Sequence, residues 1–437
     1  MNHKKTTLKA PSIVAALIIL LAVFIMPVLT SCGKKESTSR RISSDYGALR
    51  EGSKTADPAG DKTGTPTPAP VTPTPVPATP TPVPTAVPTQ AAPASVEETL
   101  AAMTLEEKVY QMFIVTPEQL TGCDPTTTAD NIMKVSIERT PVGGLCFFKK
   151  NLVTPGGVIE MLKTTQEYSK SITGLPMFFC IDEEGGTIAR IANQKAFGVT
   201  NVGNMADIKS ESEASIAGNT VGAYLAFLGF NVDFAPDADV LSNPLNLVIG
   251  PRSFGSDPNL VASYASAFSK GLQAQGVLST FKHFPGHGDT FEDSHFGTAK
   301  SAKTYEELLA CDLVPFAEAE TGGVDFVMVA HISLPNVLGD DTPCSLSYHM
   351  ITEVLRGELG YNGLIITDSL KMGAITNHYQ PQTAAVMAVQ AGADILLMPD
   401  NFVVAHSGVV NAVKNGTISE ERINESVRRI LEAKQRI

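Results

Sequence analysis

Between residues 96 and 437 the chain alternates short apolar runs with stretches whose apolar residues recur at helical spacing. The runs are QMFIVT at 111–116, GLCFF at 144–148, MFFCID at 177–182 and NVDFAP at 231–236, then STFKH at 279–283, FVMVAH at 326–331, LIITD at 364–368 and ILLMP at 395–399. Several are apolar without alternation, the pattern of parallel strands covered on both faces. ASYASAFSKGLQAQG before the fifth run and QTAAVMAVQAGA before the eighth read as helices. SVEETL places a Ser cap at Ser95 with Glu98 three residues on, a capping-box start. Leu100, Met103, Leu105 and Val109 continue it at roughly helical spacing. Eight strands alternating with helices predict an α/β fold, a closed (β/α)8 TIM barrel over 96–437. A doubly wound open sheet satisfies the same alternation.

The first 95 residues follow other rules. Lys4, Lys5 and Lys9 precede an apolar run from Ile13 to Leu29 broken only by Pro27, which is the pattern of an export signal. The run ends in Leu29-Thr30-Ser31-Cys32, which resembles the lipobox of bacterial lipoproteins. That resemblance implies a signal peptide over 1–31, lipidation of Cys32 and attachment to a membrane from the extracytoplasmic side. An uncleaved single-span anchor accounts for the same run, which is nearly long enough to cross a bilayer. Residues 32–95 then hold few large apolar side chains and become a Pro-Thr ladder, TPTPAPVTPTPVPATPTPVPTAVPT. Such a segment cannot bury enough surface to offset its ordering entropy, so a disordered linker is expected. Its proline density favours extended polyproline II at about 3.1 Å per residue, a semi-rigid stalk.

Composition narrows the function. A formal charge of −12 disfavours nucleic acid as a partner. Beyond Cys32, five cysteines remain with no zinc-knuckle or disulfide spacing, and Cys146 and Cys180 fall inside strand-like runs as core thiols. No cofactor-binding signature and no phosphate-cradling GxxxxGK[ST] loop is present. A monomer is expected.

The strand ends carry the chemistry. Asp182 closes the third run, Asp237 follows the fourth, Lys282 and His283 close the fifth, His331 the sixth and Asp368 the seventh. Barrel enzymes work at the carboxyl ends of their strands, so polar groups gathered at that rim read as an active site. The segment KHFPGHGDTFEDSH, Lys282 to His295, holds three of the eight histidines. His283 and His287 stand four apart, with Asp289 and Asp293 as further donors for a metal. Pro285, Gly286 and Gly288 exclude the helical geometry that such spacing serves in zinc sites. Acid–base catalysis is the alternative. Asp293 lies two residues before His295, so a carboxylate can orient the imidazole and raise its basicity. Asp368, at a strand tip, would be the partner carboxylate of a glycosidase pair.

KHFPGHGDT with DSH, IDEEGG followed by Arg190, GPRSFG and ITDSLKMGAI together resemble glycoside hydrolase family 3, in particular its bacterial β-N-acetylglucosaminidases. The resemblance implies a retaining exo-β-N-acetylhexosaminidase with Asp368 as nucleophile and His295 with Asp293 as the acid/base pair. It implies that Asp182, Arg190, Arg252, Lys282 and His283 hold the terminal sugar, and that no metal takes part. N-acetylglucosamine-containing glycans, cell-wall muropeptides among them, are the expected substrates. Two departures stand out. Thr187 replaces an arginine that the family often carries, and a second α/β domain found in many relatives is not expected after RINESVRRILEAKQRI. Phosphorolysis, a β-glucosidase or xylosidase activity, and a non-catalytic glycan-binding lipoprotein remain alternatives.

Overall fold

The structure, a computed structural model, describes residues 95–437 except 292–296 and 298. The leader, Cys32 and the Pro/Thr segment lie outside the described residues, as do Asp293 and His295. Among the described residues no helix is long and apolar enough to cross a membrane.

The strands in chain order are β1 (Phe113–Val115), β2 (Gly144–Cys146), β3 (Phe178–Ile181), β4 (Glu183–Gly185), β5 (Ile188–Ala189), β6 (Val232–Asp233), β7 (Thr280–Phe284), β8 (Phe326–Val329), β9 (Leu364–Thr367) and β10 (Leu396–Leu397). β4 and β5 form an antiparallel hairpin. The other eight are parallel, paired in the order β10-β1-β2-β3-β6 and β7-β8-β9. Single bridges join the two sheets: Val232 to Leu278 and Asp237 to Lys282 on one side, Ile366 to Ile395 on the other. Among the described residues every parallel strand thus has two neighbours, so this set of eight presents no unpaired edge strand. The arrangement is consistent with a (β/α)8 barrel, and each predicted run overlaps one of these strands; most strands are shorter than their runs by one to three residues at an end, and β7 extends one residue past its run, to Phe284.

Helices start where the sequence supplies caps. Ser95 accepts from the Glu98 amide while Glu98 returns a bond to Ser95, and Thr104 and Thr116 do the same with Glu107 and Gln119. The closing helix, Glu420–Lys434, buries Ile423, Val427, Ile430 and Leu431 on one face. Helices Glu211–Leu228 and Pro258–Gln273 approach so closely that a Cβ at Gly218 would lie 2.0 Å from the Phe268 carbonyl oxygen. Two features had no sequence signature: the β4–β5 hairpin and a wide helix, His349–Glu358, which ends with Leu359 N donating five residues back to Val354 O at 2.9 Å.

At the amino ends of the strands, buried Asp394 binds the closing helix to the barrel. It accepts from Ser426 Oγ at 2.7 Å, Arg429 Nη1 at 3.1 Å, the Ile365 amide at 3.0 Å and Arg356. Burial pushes its pKa up, but the guanidiniums of Arg356, Arg422 and Arg429 outweigh that and hold it below the usual value.

Candidate active site

At the carboxyl ends of the strands lies a cavity of 310 Å³, lined by Asp182, Arg190, Arg252, Lys282, His283 and Asp368 among others. Sequence reasoning named all six, and they come from five different segments. The depth of the site is set by Lys282, whose side chain is 2% exposed. It reaches Asp182 Oδ1 at 2.9 Å and Glu184 Oε1 at 2.6 Å. Burial favours the neutral amine, yet the two carboxylates outweigh it and raise the pKa above the ordinary lysine value.

Glu184, which sequence reasoning passed over, organises the cations. Arg252 grips it in a bidentate pair, Nε to Oε2 at 2.8 Å and Nη2 to Oε1 at 2.9 Å. Burial raises the Glu184 pKa, but Arg252 and Lys282 reverse the sign and hold it well below the carboxylate range. Arg252 comes from a short turn, Gly250–Arg252, and its Nη1 donates to Val248 O at 3.0 Å. Its Nη2 lies 3.4 Å from Asp237 Oδ2 and 3.4 Å from His283 Nε2.

His283 is fixed from behind. Asp239 Oδ2 lies 2.7 Å from its Nδ1, and Asp239 Oδ1 accepts the His283 amide at 3.2 Å and the His287 amide at 2.5 Å. A carboxylate accepts only, so Nδ1 carries the proton and Nε2 faces the site as an acceptor. Burial, followed by the Arg252 charge, lowers its pKa to about 4, so the ring is neutral near pH 7. Burial also raises Asp237 to about 8, with Asp239 adding to the effect. The loop after β7 needs glycine: a Cβ at Gly288 would sit 1.9 Å from the Val240 carbonyl oxygen.

Arg190 leaves the β4–β5 hairpin, whose return is pinned by Glu183. That carboxylate accepts from the Ile191 amide at 2.9 Å, the Ala192 amide at 2.8 Å and Tyr224 OH at 2.9 Å. The guanidinium lies 5.8 Å above the Phe148 ring and 3.6 Å from Asp182 Oδ2. Arg190 Nε is buried without a hydrogen-bond partner among the described residues, a donor left over for a ligand.

Asp368 stands at the end of β9, where its amide donates to Val329 O at 2.8 Å. Its Oδ1 accepts from the Ser369 amide at 2.6 Å. His331, which sequence reasoning left without a role, steadies the turn after it: Nδ1 lies 2.6 Å from Ser345 Oγ and Nε2 2.9 Å from the Ser369 carbonyl. His287 is buried, with Nδ1 2.7 Å from Thr290 Oγ1, and also faces the cavity. Cys146 and Cys180 are buried free thiols, as expected of core positions.

For a metal, the described donors that converge are Asp237, Asp239 and His283, their ligand atoms within 4.8 Å of one another. They fit poorly. Asp239 is engaged by three donors, and the Arg252 guanidinium already stands against Asp237 and His283. A second cation there would be repelled at short range.

What the arrangement offers is a ring of fixed donors and acceptors sized for one polar molecule, with a carboxylate at a strand tip facing it. A family model described as the glycosyl hydrolase family 3 N terminal domain matches residues 104–433. The chain belongs to glycosyl hydrolase family 3. Among family 3 relatives, Beta-hexosaminidase A of Pseudoalteromonas piscicida is 34% identical over 335 residues, covering 71% of this chain and 56% of that protein. Beta-hexosaminidase of Tolumonas auensis is 36% identical over 287 residues, 64% of this chain and 81% of its own. A solved family 3 beta-N-acetylglucosaminidase from Paenibacillus sp. str. FPU-7 superposes with a TM-score of 0.72 at 39% identity, over 77% of this chain and 63% of that one. The chain therefore spans little more than half of the first relative, and most of the second.

Proposed function

We propose that the protein is a retaining exo-β-N-acetylhexosaminidase that removes terminal N-acetylglucosamine from glycans, cell-wall fragments among them. The observation that carries this reading is the convergence of Asp368 with Asp182, Arg190, Arg252, Lys282 and His283 on one 310 Å³ cavity. The beta-hexosaminidase names of its relatives support it.

In this reading the sugar hydroxyls donate to Asp182 and to His283 Nε2, and accept from Lys282 and Arg252. Each of these groups is already held in place by a neighbour, so little ordering remains when substrate binds. Asp368 Oδ attacks the anomeric carbon. The glycosidic C–O bond breaks, and the departing oxygen takes a proton from His295, which Asp293 orients. The glycosyl–Asp368 ester then yields to a water whose proton passes to His295, restoring both groups with retained configuration. The acid/base roles rest on the DSH motif, because Asp293 and His295 lie outside the described residues. The same holds for the leader. An export signal over 1–31, a lipid on Cys32 and a stalk over 32–95 would tether a monomeric enzyme to the extracytoplasmic face of a membrane, a proposal supported by sequence pattern.

Hydrolysis of an aryl N-acetyl-β-glucosaminide is the test. Asp368→Ala should lower kcat/KM on the order of 10⁴-fold. His295→Ala should spare good leaving groups and lose poor ones, since an activated phenolate needs no proton. Full activity in both variants would overturn the reading.

A further inference from the structure

We propose that the foot of the barrel holds a second binding site, which takes a small monocarboxylate with an apolar body and seats the carboxylate on Lys434. The segments leading into β1, β2 and β3 and the closing helix Glu420–Lys434 surround a cavity of 1140 Å³. It shares no lining residue with the 310 Å³ sugar cavity at the opposite end. Its occupant therefore meets none of the groups assigned to the glycosidase.

The walls are mixed in the way an amphiphile requires. Met103, Ile172, Leu175 and Ile437 are half-buried and line the cavity beside the buried Leu431. Covering them with a short alkyl chain removes their remaining apolar area from water. Glu98 and Glu107 also line the cavity, but each is turned to its own helix cap. Glu98 Oε2 accepts the Ser95 amide at 2.8 Å, and Glu107 Oε2 accepts the Thr104 amide at 2.8 Å. Glu138 and Lys170, of opposite sign, complete the ionisable lining around Lys434.

Lys434 sets the class of the ligand. Its side chain is buried, and Nζ makes one hydrogen bond among the described residues, to Gln111 Oε1 at 2.7 Å. Both members of that pair line the cavity. Gln111 is fixed in turn, its Nε2 donating to Pro141 O at 3.0 Å. An ammonium has three donors, so Lys434 has capacity for a further acceptor; the Phe178 ring, 5.2 Å away, offers only its π face. Other buried charges at this end meet counter-ions from the fold: Asp394 meets Arg429 at 3.1 Å, and Asp325 meets Arg436 at 2.7 Å. Lys434 has no carboxylate partner among the described residues. A carboxylate entering the cavity supplies one, in a charge-assisted bond shielded from water.

The charge on Lys434 makes the binding pH-dependent. Burial lowers its pKa to about 7, opposed by the nearby Cys180. The carboxylate pairs with the protonated form, so ligand and proton favour each other. Affinity is full below pH 7 and falls above it, because the amine must take up a proton to bind.

Isothermal titration of the full chain with hexanoate, and with hexanamide as its uncharged counterpart, tests the site. Hexanoate should bind saturably at pH 6, and its affinity should fall on the order of 50-fold by pH 9. Hexanamide should bind more weakly and without that slope. Lys434→Met keeps the length of the side chain and removes its charge. It should weaken hexanoate binding about 30-fold at pH 6 and abolish the slope, while a melting temperature no lower than the native one verifies its fold. No saturable binding of hexanoate to the native protein, equal affinity in the variant, or a pH-independent affinity would each overturn the proposal. None of these outcomes bears on Asp368 or on the glycosidase reading.

Discussion

Two lysines are almost equally buried at opposite ends of the barrel, Lys282 at 2% exposure and Lys434 at 3%. At the rim, Lys282 faces Asp182 and Glu184, which keep it charged and raise its pKa despite burial. At the foot, Lys434 has no carboxylate partner among the described residues. Its Nζ meets Gln111 Oε1 at 2.7 Å and lies 5.2 Å over the Phe178 ring, and burial lowers its pKa to about 7. The same side chain at the same depth is thus a fixed cation in one place and an amine that gives up its proton near neutral pH in the other. Depth alone does not decide charge; the partner does. The carboxylates repeat the lesson. Asp394 at the foot has both oxygens engaged and three guanidiniums about it, whereas Asp237 at the rim is pushed up to about 8, by burial first and by the neighbouring Asp239 next, with Arg252 too weak a counterweight. Asp394 at the foot finds all its partners within the fold. The rim keeps charge in reserve for a ligand.

Removing the rim cation gives the largest effect that separates the two ends. Lys282→Met leaves Asp182 without its nearest ammonium and leaves Glu184 dependent on Arg252. We expect a loss of about 3 kcal/mol in stability by urea denaturation, together with a fall of about 100-fold in kcat/KM. A variant that keeps both would show that the ion cluster is ornamental.

The matching change at the foot should have the opposite sign. Lys434→Met replaces a buried amine that has no carboxylate partner among the described residues with an apolar chain of similar length, and stability should rise by about 2 to 4 kcal/mol at pH 6–7. The folded-state pKa, about 7, lies below the unfolded value of about 10.4. Between these the unfolded chain binds a proton that the folded chain has released, so native stability climbs as pH rises from 7 to 10. The advantage of the methionine variant should therefore shrink over that window. Thermal melts of both proteins across it provide the check, and a constant difference would mean that Lys434 stays charged.

Much of the fold was legible because parallel strands buried on both faces are written as unbroken apolar runs, as in FVMVAH and LIITD. Asp182, Lys282, His283 and Asp368 were legible because they stand at the ends of those runs, whereas Arg190 and Arg252, in loops, were named only through the family resemblance. What escaped was partnership across distance. Glu184 meets Arg252 sixty-eight residues away, and Asp239 fixes His283 from the neighbouring strand's loop. Neither pair has a local pattern. The one available signal was DFAPDAD, where three acids sit in and just after an apolar strand, a placement that demands partners. The hairpin carrying Arg190 reads as loop because its glycines and short strands carry no period. The β4–β5 return is instead specified by Glu183, through bonds that only the folded chain contains.

The proposed mechanism requires Asp368 to bond to the sugar. Incubation with 5-fluoro-N-acetyl-β-glucosaminyl fluoride, followed by proteolysis and mass spectrometry, should place one fluorinated glycosyl unit on the peptide containing Asp368. A label on any other side chain would contradict it.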